Sequence, residues 1–260
     1  MLTFAEFVLF VEEVTFETSV QIVNNFDMGT YNSRFKNDGS IVTDADIESE
    51  KFIRKKISKH FNDHDIIGEE LFDRNSKHNC KWIIDPIDGT FSYSNGVPLF
   101  GTLIGFLYEN IPTYGCLRLP KFNNDFVVGD NNECLHNNKL LKTTPFHGWQ
   151  NALILTTDEV RIYKSNLFES WENLKNSGAT FRSWGDCFGY FLVCQGKADV
   201  MIDIDLKPYD ILPLLPILRG AGVSIIDLSE KKDYSSIIAC KPEIMDEMHA
   251  NDLARKHARA

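Results

Sequence analysis

The chain has 260 residues, 43% of them hydrophobic and 25% charged, with a formal net charge of −10. That length and balance exclude a disordered chain and fit one large globular domain or two closely packed halves. The acidic excess excludes a general nucleic-acid binder, which needs clustered Lys and Arg, but a small phosphorylated substrate remains open because divalent cations can reverse the sign of a local acidic site. Six cysteines, scattered with no Cys-x-x-Cys spacing, read as reduced structural thiols of a cytoplasmic protein and not as a zinc site. The N-terminus has no basic stretch before its apolar residues and acids appear by Glu12, so no signal peptide is expected. No apolar run is long enough to cross a bilayer.

Residues 3 to 26 carry Phe4, Phe7, Val8, Val11, Val14 and Ile22 near helical spacing, which predicts a long amphipathic helix. Asp38-Gly39 marks a turn. Thr43 stands three residues before Asp46, the pattern of a helix N-cap with a returning acid, and Ile47, Ile53, Ile57 and Phe61 continue the helix. On these residues alone Asp46 is a cap and Lys36 a solvated lysine. Ile66-Ile67-Gly68-Glu69-Glu70 reads as a short strand ending in two adjacent acids, of which only one can face a given site.

The apolar run Trp82-Ile83-Ile84 reads as a buried strand that stops at Asp85-Pro86, so Asp85 is held extended at the strand's end. Asp88 follows three residues later, and Gly89-Thr90 leaves bare backbone whose N–H groups can approach an anion. Two acids beside an anion cradle suggest metal-dependent phosphate chemistry, although Asp-Pro and Asp-Gly are also common turn signals.

Leu99 to Leu107 and Pro112 to Leu119 flank the turn-prone Glu109-Asn110, a β-hairpin pattern, with Phe126-Val127-Val128 as a further strand. The Asn-, His- and Lys-rich segment from Asn131 to Trp149 looks like a connection between halves. Beyond it, Ala152 to Leu155 reads as a strand and Leu167 to Leu174 as a helix. Arg182 to Cys187 opens another helix through about Gln195, capped by Gly196, and Ala198 to Asp203 is strand-like. Lys207-Pro208-Tyr209-Asp210 starts a helix that includes Pro213 and Pro216, the second of which should kink or loosen it. Gly222 to Ile226 and Ile237 to Ala239 complete a sheet, and a polar, His-containing helix closes the chain. There is no internal repeat.

Four segments now stand in one order: Asp44-Ala45-Asp46, Gly68-Glu69-Glu70, Asp85-Pro86-Ile87-Asp88-Gly89-Thr90, and Pro208-Tyr209-Asp210 after Ala198-Asp199. Over nearly the whole chain this arrangement resembles the inositol monophosphatase family of Mg²⁺-dependent, Li⁺-sensitive phosphomonoesterases. The resemblance implies an α/β fold, a layered αβαβα sandwich. Residues 1–140 would form an α+β half carrying the main metal motif, and residues 141–260 an α/β half carrying Asp210 and the recognition residues. The site would lie at their junction, and a homodimer is expected. Within the family, Arg182-Ser183-Trp184-Gly185-Asp186-Cys187-Phe188-Gly189-Tyr190 and Lys36-Asn37-Asp38-Gly39-Ser40 most resemble the histidinol-phosphate phosphatase branch. Inositol phosphatases tend to have a small residue or threonine where Asp186 stands.

By the family pattern, Glu69, Asp85 and the main-chain carbonyl of Ile87 would bind one Mg²⁺, and Asp85, Asp88 and Asp210 a second. Two or three ions are implied, replaceable by Mn²⁺. Thr90 and Glu69 would orient the attacking water, and Asp46 would support Thr90. The N–H groups of Gly89 and Thr90 would hold phosphate oxygens, with Asp88 and Asp210 also bordering the substrate. Lys36 would lie near the outer sphere of an additional metal. Asp186 and Asp203 are the substrate-recognition candidates; a carboxylate at 186 suits a protonated amine and an imidazole, while an N-cap on the following helix is its other reading. Tyr209 departs from the family, which usually has tryptophan there.

The implied activity is hydrolysis of histidinol phosphate to histidinol and phosphate, in histidine biosynthesis. The alternatives are an inositol-1-phosphate or broad sugar-phosphate phosphatase and, from another class, a non-catalytic binding or regulatory protein on the same fold.

Overall fold

The computed structural model describes residues 2–71, 78–165 and 167–247. Helix α1 (Phe4–Met28) opens on a reciprocal cap: the Thr3 hydroxyl accepts the Glu6 N–H while the Glu6 carboxylate accepts the Thr3 N–H. Strands β1 (Ser33–Phe35) and β2 (Ile41–Thr43) pair antiparallel around the Asp38-Gly39 turn, and Thr43 then caps α2 (Asp44–His60).

The next strands are β3 (Asp65–Gly68), β4 (Cys80–Asp88), β5 (Gly101–Tyr108), β6 (Ile111–Leu119), β7 (Asp125–Gly129), β8 (Cys134–His136) and β9 (Lys139–Leu140). They form one sheet in chain order, with β3 parallel to β4 and every later pair antiparallel. Glu109 and Asn110 join β5 to β6 with positive φ at both positions, the primed two-residue turn that matches strand twist. Between β4 and β5 lies the short helix α3 (Thr90–Ser94).

A second sheet collects β10 (Leu153–Leu155), β11 (Thr180–Arg182), β12 (Val200–Ile204), β13 (Ser224–Asp227) and β14 (Ser236–Cys240) in the order β11-β10-β12-β14-β13. The helices of this region are α4 (Glu159–Tyr163), α5 (Phe168–Lys175), α6 (Asp186–Cys194), α7 (Pro208–Ile211) and α8 (Leu214–Gly220).

Alternation along the strands decides the layers. Trp82, Ile84, Ile104, Phe106 and Cys116 face α1 and α2, packing on Phe7, Val11, Ile53 and Ile57. Leu103, Leu117 and Val127 point the other way, onto Tyr190, Val193, Leu214 and Ile217 of α6 and α8, which also cover Met201, Ile237 and Ala239 of the second sheet. The far face of that sheet, Ile154, Val200, Ile202 and Ile238, is closed by Ile162 and Trp171 of α4 and α5. The result is an αβαβα sandwich. Its middle layer lies close on the first sheet: a Cβ on Gly115 would fall 1.9 Å from the carbonyl oxygen of Pro213, so glycine there admits the α7–α8 backbone.

Several expectations change. Strands β8 and β9 lie within the segment read as a connection, and β11 precedes α6; short strands whose pattern is mostly polar or two to three residues long carry little period-2 signal. The helix expected from Lys207 through Pro216 is two helices. Pro213 sits at the N-cap of α8 and Pro216 in its first turn, where an absent N–H would have had no intrahelical partner, so it begins a helix instead of kinking one. Strand β3 ends at Gly68, so Glu69 and Glu70 escape strand alternation. At the C-terminus residues 242–247 are helical, and the rest of the expected closing helix lies outside the described residues.

Candidate active site

Asp85 and Asp88 are three residues apart, which on a regular strand puts them on opposite faces. The register between β4 and β5 shifts by one residue between them, from Asp85↔Leu103 to Asp88↔Gly101. This bulge restores parity: Ile84 and Ile87 face the α1–α2 side, and both aspartates face the middle layer. Proline is tolerated there because a bulge leaves a ladder position unpaired, and the Pro86 carbonyl accepts the Thr102 hydroxyl instead. The Ile87 N–H donates back to Asp85 Oδ1 at 3.0 Å. Asp210, in the first turn of α7, meets them from the second half of the chain.

Carboxylate oxygens of Asp85, Asp88 and Asp210 all lie within 4.8 Å of one another. Burial pushes Asp85 well above the ordinary carboxylate range, and Glu69, Asp88 and Asp210 push it further. Asp88 is raised by burial and then by Asp186 and Asp210, opposed by the Cys187 N–H that donates to its Oδ2. Burial raises Asp210 to about 7 against the Lys207 N–H that donates to it at 2.7 Å. Acids gathered at such cost, with oxygen donors only, fit a hard divalent cation such as Mg²⁺.

Glu69 lines the same cleft, but its carboxylate meets Lys36 Nζ at 2.8 Å, and Glu70 meets the same ammonium at 2.8 Å. Both adjacent acids therefore reach one partner, where a strand would have separated them. Burial opposes the Lys36 charge, yet Glu69 and Glu70 outweigh it and hold the lysine above its usual value. Lys36 is thus a tethered ion-pair partner and not the solvated lysine its sequence context suggested. Burial, then Glu69, raises Glu70 to about 7.

Asp46 performs both roles open to it. One oxygen caps α2 by accepting the Thr43 N–H and hydroxyl, and the other lies 3.0 Å from Thr90 Oγ1. Burial lifts Asp46 to about 6. The Thr90 hydroxyl also lies 2.9 Å from the Ile87 carbonyl, so one proton has two acceptors. Gly89 holds φ +90, and a Cβ there would stand 2.6 Å from the Leu99 carbonyl and 3.2 Å from Asp186 Oδ2.

Asp186 is not a cap: Gly185 occupies that position and α6 has no side-chain cap. Its backbone sits at φ +50, its N–H donates to Thr157 Oγ1 at 2.8 Å, and its carboxylate lies beside Gly89. Burial, then the nearby Asp203, raises it to about 7. Asp203 also borders the cleft, but its oxygens are taken by the Thr157 N–H (2.8 Å), the Thr157 hydroxyl (3.0 Å) and the Tyr190 hydroxyl (3.1 Å). Thr157 stood in no motif, and Tyr190 closed the Arg182–Tyr190 segment without a role assigned to it; only long-range packing shows what the two do. Tyr209 is half-buried, and burial, then Glu69, Asp210 and Asp85, raise its phenol.

Glu69, Asp85, Asp88, Asp186, Asp203 and Asp210 border a cleft of about 640 Å³, whose wall also carries Phe35, Phe91 and Arg161. A model of the inositol monophosphatase family matches residues 14–258. The chain is 30% identical over 192 residues to the histidinol-phosphatase of Chlorobaculum parvum, covering 74% of each. It is 29% identical over 217 residues to the fructose-1,6-bisphosphatase/inositol-1-monophosphatase of Aquifex aeolicus, covering 81% of each. Among solved structures, the extragenic suppressor protein suhB of Bartonella henselae superposes with a TM-score of 0.84 at 18% identity, over 92% of this chain and 95% of that one. The fold and the acidic cleft are those of a metal-dependent phosphoric monoester hydrolase. The chain belongs to the inositol monophosphatase family. Among the described residues no helix is long and apolar enough to cross a membrane.

Proposed function

We propose that the protein hydrolyses histidinol phosphate to histidinol and phosphate with Mg²⁺, as a cytoplasmic homodimer in histidine biosynthesis. The observation that carries the substrate is Asp186: its carboxylate lies beside Gly89 on the cleft wall instead of capping α6, where a protonated amine next to the scissile phosphate would reach it. The name carried by the Chlorobaculum parvum relative supports the same reading. The name of the Aquifex aeolicus relative supports the second reading, an inositol or sugar phosphate substrate.

In this reading Asp85, Asp88 and Asp210 would hold one Mg²⁺, and Glu69, Asp85 and the Ile87 carbonyl another, with Lys36 paired to Glu69 and Glu70 at the border of the site. Bound there, the ions supply the positive charge that gathers the phosphoryl group and stabilises the leaving oxygen. Above about pH 6 Asp46 is ionised and accepts a hydrogen bond from the Thr90 hydroxyl, which leaves a Thr90 lone pair to accept a hydrogen bond from the attacking water and orient it. Glu69 orients the same water. The N–H groups of Gly89 and Thr90 bind the phosphate oxygens, and Asp186 binds the amine. Asp203 acts mainly by fixing Thr157, and through it Asp186. Residues 1–140 carry the chief metal motif and residues 141–260 the remaining acid and the recognition wall. Inhibition by Li⁺ belongs to the same proposal.

Phosphate release from histidinol phosphate and inositol 1-phosphate, measured side by side with Mg²⁺ in the native protein and Asp186→Asn, tests it. A strong preference for histidinol phosphate that falls at least tenfold in Asp186→Asn supports the amine contact. Equal rates in the native protein would move the substrate to the second reading.

A further inference from the structure

The buried polar stripe of α2 runs beyond Asp46. Glu50 and Arg54 follow at successive four-residue steps on the same face, and Glu50 is fully buried. Glu50 Oε1 accepts from Arg54 Nε at 2.7 Å and from the Leu71 N–H at 3.2 Å, and Oε2 accepts the Glu70 N–H at 2.7 Å. Arg54 in turn donates to the Leu71 carbonyl at 3.0 Å and the Ile66 carbonyl at 3.4 Å. The pair therefore grips the main chain before and after Glu69. On its other side the Glu69 N–H donates to the Ile84 carbonyl of β4, one residue before Asp85.

Gly68 is part of the same device. A Cβ at that position would fall 2.1 Å from Glu50 Oε1 and 2.6 Å from Arg54 Nη2. The glycine lets the ion pair lie against the main chain of the Gly68-Glu69-Glu70 segment. An ion pair this deep is a poor source of net stability, because desolvation offsets its attraction. What it supplies is a fixed course for the main chain of a segment that leaves β3, gripped on one side by the ion pair and on the other by the Ile84 carbonyl.

We infer that Glu50 and Arg54 are positioning residues for Glu69, setting where its carboxylate stands relative to Asp85 and so the affinity of the site for a divalent cation. The inference rests on the reading of Glu69 as a metal ligand. Groups that orient a ligand in this way typically change metal affinity about 10–100-fold when altered.

The test is Mn²⁺ binding followed by electron paramagnetic resonance in the native protein, Glu50→Gln, Glu69→Ala and the double variant, with thermal midpoints and the Mg²⁺ dependence of phosphate release in parallel. Glu50→Gln is expected to weaken Mn²⁺ binding about tenfold and to raise the Mg²⁺ concentration for half-maximal rate, while kcat at saturating Mg²⁺ stays within about threefold. In the Glu69→Ala background it should weaken binding no further, because the ligand it positions is gone. A lowered midpoint with unchanged Mn²⁺ affinity would make the pair merely structural and overturn the inference, as would equal losses in both backgrounds. If Glu69→Ala alone leaves Mn²⁺ affinity unchanged, the ligand reading fails first. Should Glu50→Gln not fold, Arg54→Lys, which keeps the charge but loses the carbonyl grips, must show the same loss of affinity.

Discussion

Two groups of buried acids face one cleft and are treated in opposite ways. Asp203 has a hydrogen-bond donor at each turn, two from Thr157 and one from Tyr190, and these pull against burial so that it rises only to about 6. Asp85 stands equally deep among Glu69, Asp88 and Asp210, and the charges acting on it all raise it. The difference separates acids that hold the fold together from acids the fold holds apart for something else. Burial and residue type do not distinguish the two; their partners do.

Removing a member of the repelling group should damage activity far more than stability. Asp88→Asn is expected to lower kcat/KM for phosphate release by at least about 10³-fold, the scale of losing several kcal/mol of charge stabilisation. Its metal-free thermal midpoint should stay level or rise, since one of the mutually repelling charges is gone.

The same repulsion sets the pH dependence. The carboxyls of Asp85, Asp88, Asp186 and Asp210 titrate higher in the folded protein than in the unfolded chain. The folded state then binds more protons than the unfolded one above about pH 4. The stability contributed by Asp186 and Asp210 is complete below about pH 4 and is lost as pH rises through about 7, and Asp85 and Asp88 act in the same direction, so the metal-free midpoint should fall from pH 5 to pH 8. Mg²⁺ needs the ionised acids, so its stabilisation should grow over the same range, reaching about 2.7 kcal/mol at one hundred times its Kd. Differential scanning fluorimetry with and without Mg²⁺ at pH 5, 6, 7 and 8 checks both slopes.

The satisfied group should respond the other way. Thr157→Val removes the hydroxyl that donates to Asp203 and accepts from Asp186, and should cost about 1–3 kcal/mol of stability. Tyr190→Phe removes a single donor and should cost about 1 kcal/mol. Chemical denaturation reads both.

Much of the fold was legible because it rests on local signals. Thr43 with Asp46, the Glu109-Asn110 hairpin and the apolar runs of β4 to β7 each declare themselves within a few residues. The acids of the cleft were legible too, as motifs. Their grouping was not: Asp85 and Asp88 share a face only because the β4–β5 register slips by one residue, and Asp85-Pro86-Ile87-Asp88 does not state which partner residue it skips. Thr157, Glu50 and Arg54 were silent for a related reason. Each acts on residues far along the chain, and a lone Thr or a Glu-x-x-x-Arg on a helix reads as an ordinary cap or surface pair. For Asp186 the sequence left a recognition role and a helix cap both open, and its φ of +50 and its place beside Gly89 rule out the cap.

In the proposed function the mutually repelling acids form the metal site, and Asp203, satisfied by Thr157 and Tyr190, does not. Mn²⁺ binding and thermal midpoint, measured together on Asp85→Asn and Asp203→Asn, test it most directly. Asp85→Asn is expected to lose Mn²⁺ binding while keeping its metal-free midpoint, and Asp203→Asn to keep Mn²⁺ affinity while its midpoint falls. Retained Mn²⁺ binding in Asp85→Asn, or its loss in a folded Asp203→Asn, would contradict it.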